Sequence, residues 1–469
     1  MDPLVHYWLP LGWALYLLAL SVWIVLQKRP PVSTLAWILA LAALPVLGFL
    51  VYHWLGPVRI RRQQIKRRRS RVRLEHGSHE PGEALVGPQG ALAERQARLV
   101  ERLTGSAPLS ASRVELLCDG EATFEALLRA VRGAREHIHL EYYIVEPDRI
   151  GHALREALIE RARAGVAVRF LIDSVGGSGI GRRFLKPLRE AGAEVVFFHP
   201  FRLATLKPLL NLRTHRKIAV IDGRIGFTGG INISDTQDER VRADAYRDLH
   251  LRLEGPAVNG LQQVFVEDWL YASRRPLRQH GLFPLLPPGQ VAVQWLASGP
   301  DTPDEPIHRA MLQAIGDAER RLWLVTPYFV PTEPALYALT GAAGRGVDVR
   351  LLVPEQADTR LVTHASRSYF EDLLRAGVRV FEYTPRMLHT KALLVDDGLC
   401  TLGSANFDAR SFRLNFELCV NMYGSEAITA LERVVVEDFA HSREVLLPRR
   451  PGPLGRLAEA AARLLSPLL

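Results

Sequence analysis

Histidine, lysine and asparagine recur twice along this chain at one fixed spacing, and those side chains suit work on a phosphodiester. His215-Arg-Lys217-Ile-Ala-Val-Ile-Asp222 is followed, after six residues, by Gly229-Gly230-Ile-Asn232. His389-Thr-Lys391-Ala-Leu-Leu-Val-Asp396 is followed, again after six, by Gly403-Ser404-Ala-Asn406. A phosphodiester anion repels nucleophiles, so a catalyst neutralises its oxygens with preorganised donors. Lys217, Lys391, Asn232 and Asn406 would make such a clamp. A neutral imidazole can attack phosphorus to give a phosphohistidine, and a protonated one can protonate the departing alkoxide. The near-equivalence of the two motifs leaves open whether His215 or His389 attacks.

Carboxylates commonly orient such imidazoles through the other ring nitrogen. Asp248 (in Tyr-Arg-Asp-Leu-His) and Glu417 (in Asn-Phe-Glu-Leu) follow their histidines at similar intervals and are the candidates. Asp222 and Asp396 complete the two motifs and join the catalytic set, although their place at the far strand ends favours holding the turn. Lysine itself is informative. The chain has only six, at 28, 66, 186, 207, 217 and 391, against abundant arginine, yet both motif positions keep the compact ammonium.

The elements that must position these groups are strands. Residues two apart share a strand face, so His215 and Lys217 point the same way. Ile218–Ile221 and Ala392–Val395 are apolar on both faces, as in a sheet covered on both sides. Asp222-Gly223 and Asp397-Gly398 supply turn chemistry, and the following glycines allow close backbone approach. The repeat extends upstream: Gly165-Val-Ala-Val-Arg-Phe-Leu-Ile-Asp173 matches Gly346-Val-Asp-Val-Arg-Leu-Leu-Val-Pro354. Helical stretches alternate with short apolar strands, which is the α/β pattern. Because neither half holds both histidines, one shared site at a pseudo-twofold interface is expected.

Two apolar stretches, Tyr7–Leu26 and Leu35–Leu55, are long enough to span a bilayer and carry aromatic residues near their ends. Pro30-Pro31 breaks the chain between them, predicting a helical hairpin. Arg59, Arg61, Arg62, Lys66, Arg67, Arg68, Arg69, Arg71 and Arg73 follow, which places them and the remaining chain on the cytoplasmic side. The net charge of +9 owes much to this segment and argues poorly for nucleic-acid binding. The expected organisation is a transmembrane hairpin (1–56), a basic juxtamembrane segment and linker (57–111), two lobes (112–289 and 290–448) and an amphipathic C-terminal segment (449–469). That last segment is a candidate either to lie on the membrane or to pack on the second lobe. The three cysteines are scattered, arguing against a disulfide framework or a zinc site. With no P-loop, dinucleotide fingerprint or HExxH helix, neither metal nor cofactor is expected.

Residues 215–232 and 389–406 resemble the paired HKD motifs of the phospholipase D superfamily. Nearly the whole chain is similar to its two-span bacterial cardiolipin synthases, through Ala36-Trp37, Leu44-Pro-Val-Leu-Gly48, Tyr52, Thr214, Ile233-Ser-Asp235, Tyr246-Arg-Asp248, Ser298-Gly-Pro300, Thr326-Pro-Tyr-Phe-Val-Pro331 and Ala462-Arg-Leu-Leu-Ser-Pro-Leu-Leu469. Gly230 stands where the second copy has Ser404, leaving the first half one hydroxyl short. The resemblance implies duplicated phospholipase D-like lobes, each a mixed sheet flanked by helices, sharing one active site behind a two-helix transmembrane hairpin. It implies transfer of a phosphatidyl group between two phosphatidylglycerol molecules, giving cardiolipin and glycerol, in a multi-pass protein of the bacterial inner membrane. By the family pattern His215 attacks and His389 serves as acid, then base. A membrane-anchored phospholipase D or transphosphatidylase with another alcohol acceptor uses the same residues and stays open.

Overall fold

The computed structural model describes residues 3–26, 31–44, 87–199, 212–302, 304–449 and 451–466. The chain divides into two units: residues 1–63 with 202–211, and the remainder. In the first unit, helices Pro3–Val25 and Pro31–Ala43 pack through Leu17, Leu20, Ile24, Trp37, Ile38 and Leu41. Proline at the first helical position suits the start of the second. Leu11, Leu15, Leu18, Val22, Leu35 and Leu39 face outward. Among the described residues no helix is long and apolar enough to cross a membrane. The expected second span, Leu35–Leu55, runs beyond residue 44 into residues outside the described set, as does the basic cluster 59–73.

The second unit carries the duplication. A short strand β1 (Leu109–Ala111) precedes the first repeat: β2 (Arg113–Cys118), β3 (His137–Tyr142), β4 (Ala167–Asp173), β5 (Glu194–Phe198), β6 (Ile218–Ile221), β7 (Ile225–Gly229) and β8 (Leu249–Glu254). The second repeat follows: β9 (Val291–Ser298), β10 (Arg321–Val325), β11 (Phe329–Val330), β12 (Asp348–Pro354), β13 (Arg379–Tyr383), β14 (Ala392–Val395), β15 (Leu399–Gly403), β16 (Phe407–Asp408), β17 (Glu417–Tyr423) and the edge strand β18 (Ser442–Val445). One sheet runs β2-β8-β7-β6-β3-β4-β5 and the other β9-β17-β15-β14-β10-β12-β13, extended by β1 and β18 at its two edges. The order is the same in both. β3-β4-β5 and β10-β12-β13 are parallel and their other partners antiparallel, so both sheets are mixed.

Burial follows the sequence pattern. All residues of β6 and β14 are buried, because one apolar core lies on each outer face and a third is shared between the sheets. The shared core draws Phe265, Trp269 and Ile218 from one repeat and Trp323, Leu388 and Phe416 from the other. Residues 91–111, expected within a linker, are instead ordered on the second repeat. Helix Ala91–Thr104 buries Ala93, Gln96, Ala97 and Val100 on one stripe, and β1 pairs with β9.

Candidate active site

The polar ends of β6 and β14 meet where the two repeats exchange backbone hydrogen bonds. The His215 N–H donates to the Phe416 carbonyl (2.8 Å), and the Phe416 N–H to that of Arg213 (2.7 Å). The mirror-image pair is Arg247 N–H to Met387 O (2.8 Å) and His389 N–H to Arg247 O (2.7 Å). Each histidine is thereby fixed just before its own strand by the start of the other repeat's β8 or β17. Both histidines are almost buried, with residue exposures of 9% for His215 and 8% for His389.

The carboxylates are exchanged between repeats. His215 Nδ1 lies 3.0 Å from Glu417 Oε2, and His389 Nδ1 lies 2.6 Å from Asp248 Oδ2. Chain order pairs each acid with the histidine preceding it; the fold pairs it with the other. With each Nδ1 occupied, Nε2 is the nitrogen left for substrate. Burial pushes the Asp248 and Glu417 carboxyls up, but Lys391 and His389 at the first, and His215 and Lys217 at the second, hold both below the ordinary carboxylate range. The anions are therefore kept.

Gly230 and Ser404, the one departure between the motifs, account for how those anions are held. A Cβ on Gly230 would sit 2.1 Å from Asp248 Oδ1, so only glycine leaves room for that carboxylate. In the second repeat the Ser404 hydroxyl donates to Glu417 Oε2 (2.5 Å), and the Asn415 amide donates to Oε1 (3.1 Å).

Lys217 and Lys391 are buried, each ammonium folded back to its own histidine's carbonyl. Lys391 also lies 3.7 Å from Asp248. Burial lowers Lys217 to about 7, helped by the Lys391 charge. Burial lowers Lys391 to about 8, opposed by Asp248 and Glu417. Burial, with Lys391, lowers His389 to about 4; burial also lowers His215, against the pull of Glu417. Without an anion, both imidazoles are neutral at pH 7.

Asn232 turns its carboxamide oxygen to the Ile144 N–H (3.2 Å), leaving its NH2 as donor. Asn406 donates its backbone N–H to the Ser411 hydroxyl (3.2 Å), and its carboxamide oxygen is buried with no partner among the described residues. Asp222 and Asp396 do not belong with the histidines. Each lies beyond the far end of a four-residue strand about 13 Å long, at positive φ in the β-hairpin turn. Asp222 accepts the N–H groups of Arg135, Glu136 and His137 (2.8–2.9 Å), and Asp396 those of Glu319, Arg320 and Arg321 (2.9–3.0 Å). Their place in the motif is structural, because they tie the hairpin turn to the loop that enters β3 or β10.

Some site residues had no signal in motif spacing. Tyr143 stands edge-on to His215 (5.0 Å between ring centroids), and Tyr246 lies 5.6 Å from His389. Arg216, between the motif histidine and lysine, crosses to the second repeat, donating to the carbonyls of Glu417 (3.1 Å) and Ser298 (3.2 Å) while paired with Asp268. Tyr246 and Ser298 lie in blocks that carried the resemblance, and that was the one available clue.

Residues 127–269 and 311–438 match the family described as cardiolipin synthase, PLD-like domain, and residues 14–57 match the family described as phospholipase D-nuclease N-terminal. Cardiolipin synthase 1 of Bacillus anthracis is 40% identical, with 97% of this chain and 93% of that protein covered. The cardiolipin synthase of Alkalihalophilus pseudofirmus is 41% identical, covering 96% and 92%. Among solved structures, the phosphatidylserine synthase of Haemophilus influenzae superposes with a TM-score of 0.61 over 80% of this chain and all of that one, at 15% identity, which speaks for the fold alone. With two repeats of one sheet order, each matched by the same family description, the chain belongs to the cardiolipin synthase family of phospholipase D-like proteins.

Proposed function

We propose that this protein is a phosphatidyltransferase that converts two phosphatidylglycerol molecules to cardiolipin and glycerol through a phosphohistidine. The observation that carries the chemistry is the pair of Nδ1-anchored imidazoles with two lysines beside them. His215, neutral and held by Glu417, attacks phosphorus through Nε2. Lys217 and Lys391 take up the negative charge on the non-bridging oxygens, with Asn232 donating beside them. The arriving anion raises His389 from its depressed value, so that it carries the proton given to the leaving glycerol alkoxide. His389 then removes the proton of the incoming hydroxyl, which attacks phosphorus and frees His215. One phosphodiester replaces another, so no nucleotide is needed. The near-complete burial of both histidines limits water and favours a bound alcohol.

The N-terminal helices are read as a membrane anchor. Their outward leucines and valines, the apolar residues that continue to position 55 and the arginines beyond support a hairpin with the catalytic unit on the cytoplasmic face of a bacterial membrane. Purified protein given phosphatidylglycerol alone should form cardiolipin and glycerol in equal amounts. Phosphatidic acid as the main product would identify a hydrolase, and no turnover a non-catalytic lipid binder.

A further inference from the structure

Helix Pro453–Leu465 docks by its weak face. Ala462 and Ser466 are buried against the second repeat, and Ala458 and Glu459 are partly covered, so the inward stripe is small and polar. Arg449 pairs with Glu459 (2.7 Å), the Tyr369 hydroxyl meets Ser466 (3.2 Å), and Arg463 reaches Asp372 (3.1 Å) while lying over the Tyr369 ring. The strong apolar face points outward: Leu454, Leu457, Leu464 and Leu465 are 83, 67, 82 and 43% exposed. Ordinary amphipathic helices of globular proteins do the reverse. The helix rests on helix Arg360–Arg367, which packs beside β11 just past the C-terminal end of β10. Val325, which ends β10, pairs with Ala392, next to Lys391, so the helix that supports Pro453–Leu465 lies toward the end of the lobe that carries the site.

We propose that this outward stripe seats on an anionic bilayer surface, holding the catalytic end of the second repeat against the lipid headgroups; the inference rests on the lipid substrate argued above. Two arguments select a bilayer over a protein. The stripe is one helix wide and about 20 Å long, too small and convex for a stable protein interface. It is also flanked by Arg456, which is exposed, and by Arg463, whose side chain stays 44% exposed despite its ion pair, and leucines bordered by arginines suit anionic lipid.

The test uses the full chain in phosphatidylglycerol-containing vesicles, with Cys118→Ser and a fluorophore on Leu457→Cys. Quenching by a nitroxide carried near the lipid headgroup, with protection from aqueous iodide, is expected. Quenching by iodide alone overturns the proposal, and shielding from both quenchers overturns it in favour of a protein contact. The triple variant Leu454→Ser, Leu457→Ser, Leu464→Ser should keep the wild-type melting temperature, since these side chains point away from the fold. Its turnover should fall about tenfold on vesicles and stay unchanged on dissolved dihexanoyl phosphatidylglycerol; equal turnover on vesicles also overturns the proposal. Wild-type protein inert toward both substrates would sink the catalytic reading, while the fluorophore still reports the seat of the helix.

Discussion

Replacing Gly230 with alanine should disable the protonating half of the site without touching a histidine or a carboxylate. The new Cβ would lie 2.1, 2.4 and 2.6 Å from Oδ1, Oδ2 and Cγ of Asp248, whereas ordinary contact begins near 3.4 Å. The carboxylate therefore retreats by about 1 Å, stretching the 2.6 Å bond to His389 beyond hydrogen-bonding range. A charge-assisted bond contributes about 1.5–3 kcal/mol, equivalent to a loss of about 10- to 150-fold in rate. The assay separates this from general damage. Single-turnover release from phosphatidylglycerol needs a proton for its alkoxide, whereas a p-nitrophenyl phosphodiester leaves without one. The defect should be large with the first substrate and within a few-fold of wild type with the second. Equal defects on both substrates, or an unimpaired Gly230→Ala enzyme, would refute the role given to Asp248 and His389.

Glu417→Gln should weaken attack by His215 instead, slowing formation of the phosphohistidine about equally with good and poor leaving groups, as rapid-quench trapping would reveal. Lys217→Ala and Lys391→Ala should each lose at least about a hundredfold in turnover, with the double variant little worse than the poorer single; a variant retaining half its activity would mean that each repeat holds its own site. In the empty site Lys217 and Lys391 titrate near 7 and 8 and His389 near 4, so a bound phosphodiester, which stabilises their charged forms, should draw more protons from solution at pH 8, where the lysines and His389 all take them up, than at pH 5.5, where of the three His389 alone does. Calorimetry of a non-reacting phosphodiester analogue in two buffers of different ionisation enthalpy measures this, and kcat/KM should decline as pH rises above about 7, more steeply above about 8. Asp222→Ala removes the acceptor of three backbone N–H groups and should lower stability by about 2–4 kcal/mol, with turnover per folded molecule within a few-fold of wild type; lost turnover at unchanged stability would return Asp222 to the chemistry.

The duplication was legible in the sequence because its signals are local. A strand's alternation puts His215 and Lys217 on one face, and the apolar runs after them require a sheet covered on both sides. Both are properties of a few neighbouring residues. The exchange of Glu417 and Asp248 was not legible, since it depends on how two repeats more than a hundred residues apart close on each other. The place of the motif aspartates at the far strand ends pointed to the turn, and their constant spacing records the length of a strand and the demands of that turn. Asn406 looked equivalent to Asn232, but the Asn232 oxygen accepts the Ile144 N–H while that of Asn406 is buried with no partner among the described residues. In the helix of residues 91–104, propensity was present but its stripe of small buried residues is too weak a pattern to stand out from a linker.

The two similar halves give their histidines unlike surroundings. Aspartate in one repeat and glutamate in the other make the partners differ. Exchange of the carboxylates decides which histidine meets which. His215 meets a glutamate backed by a serine hydroxyl and an asparagine amide; His389 meets an aspartate seated against a glycine, with Lys391 beside it. Burial, with the Lys391 ammonium beside it, empties the His389 ring of its proton, and in the proposed reaction the arriving anion restores it, which ties the acid's readiness to substrate binding. Burial also depresses His215, and in the proposed reaction the Glu417 anion holds it oriented as the nucleophile. The difference between the two histidines therefore lies in residues outside the shared spacing, at Gly230 against Ser404 and Asp248 against Glu417. It depends on both repeats being folded together, since each half supplies the other's anchor.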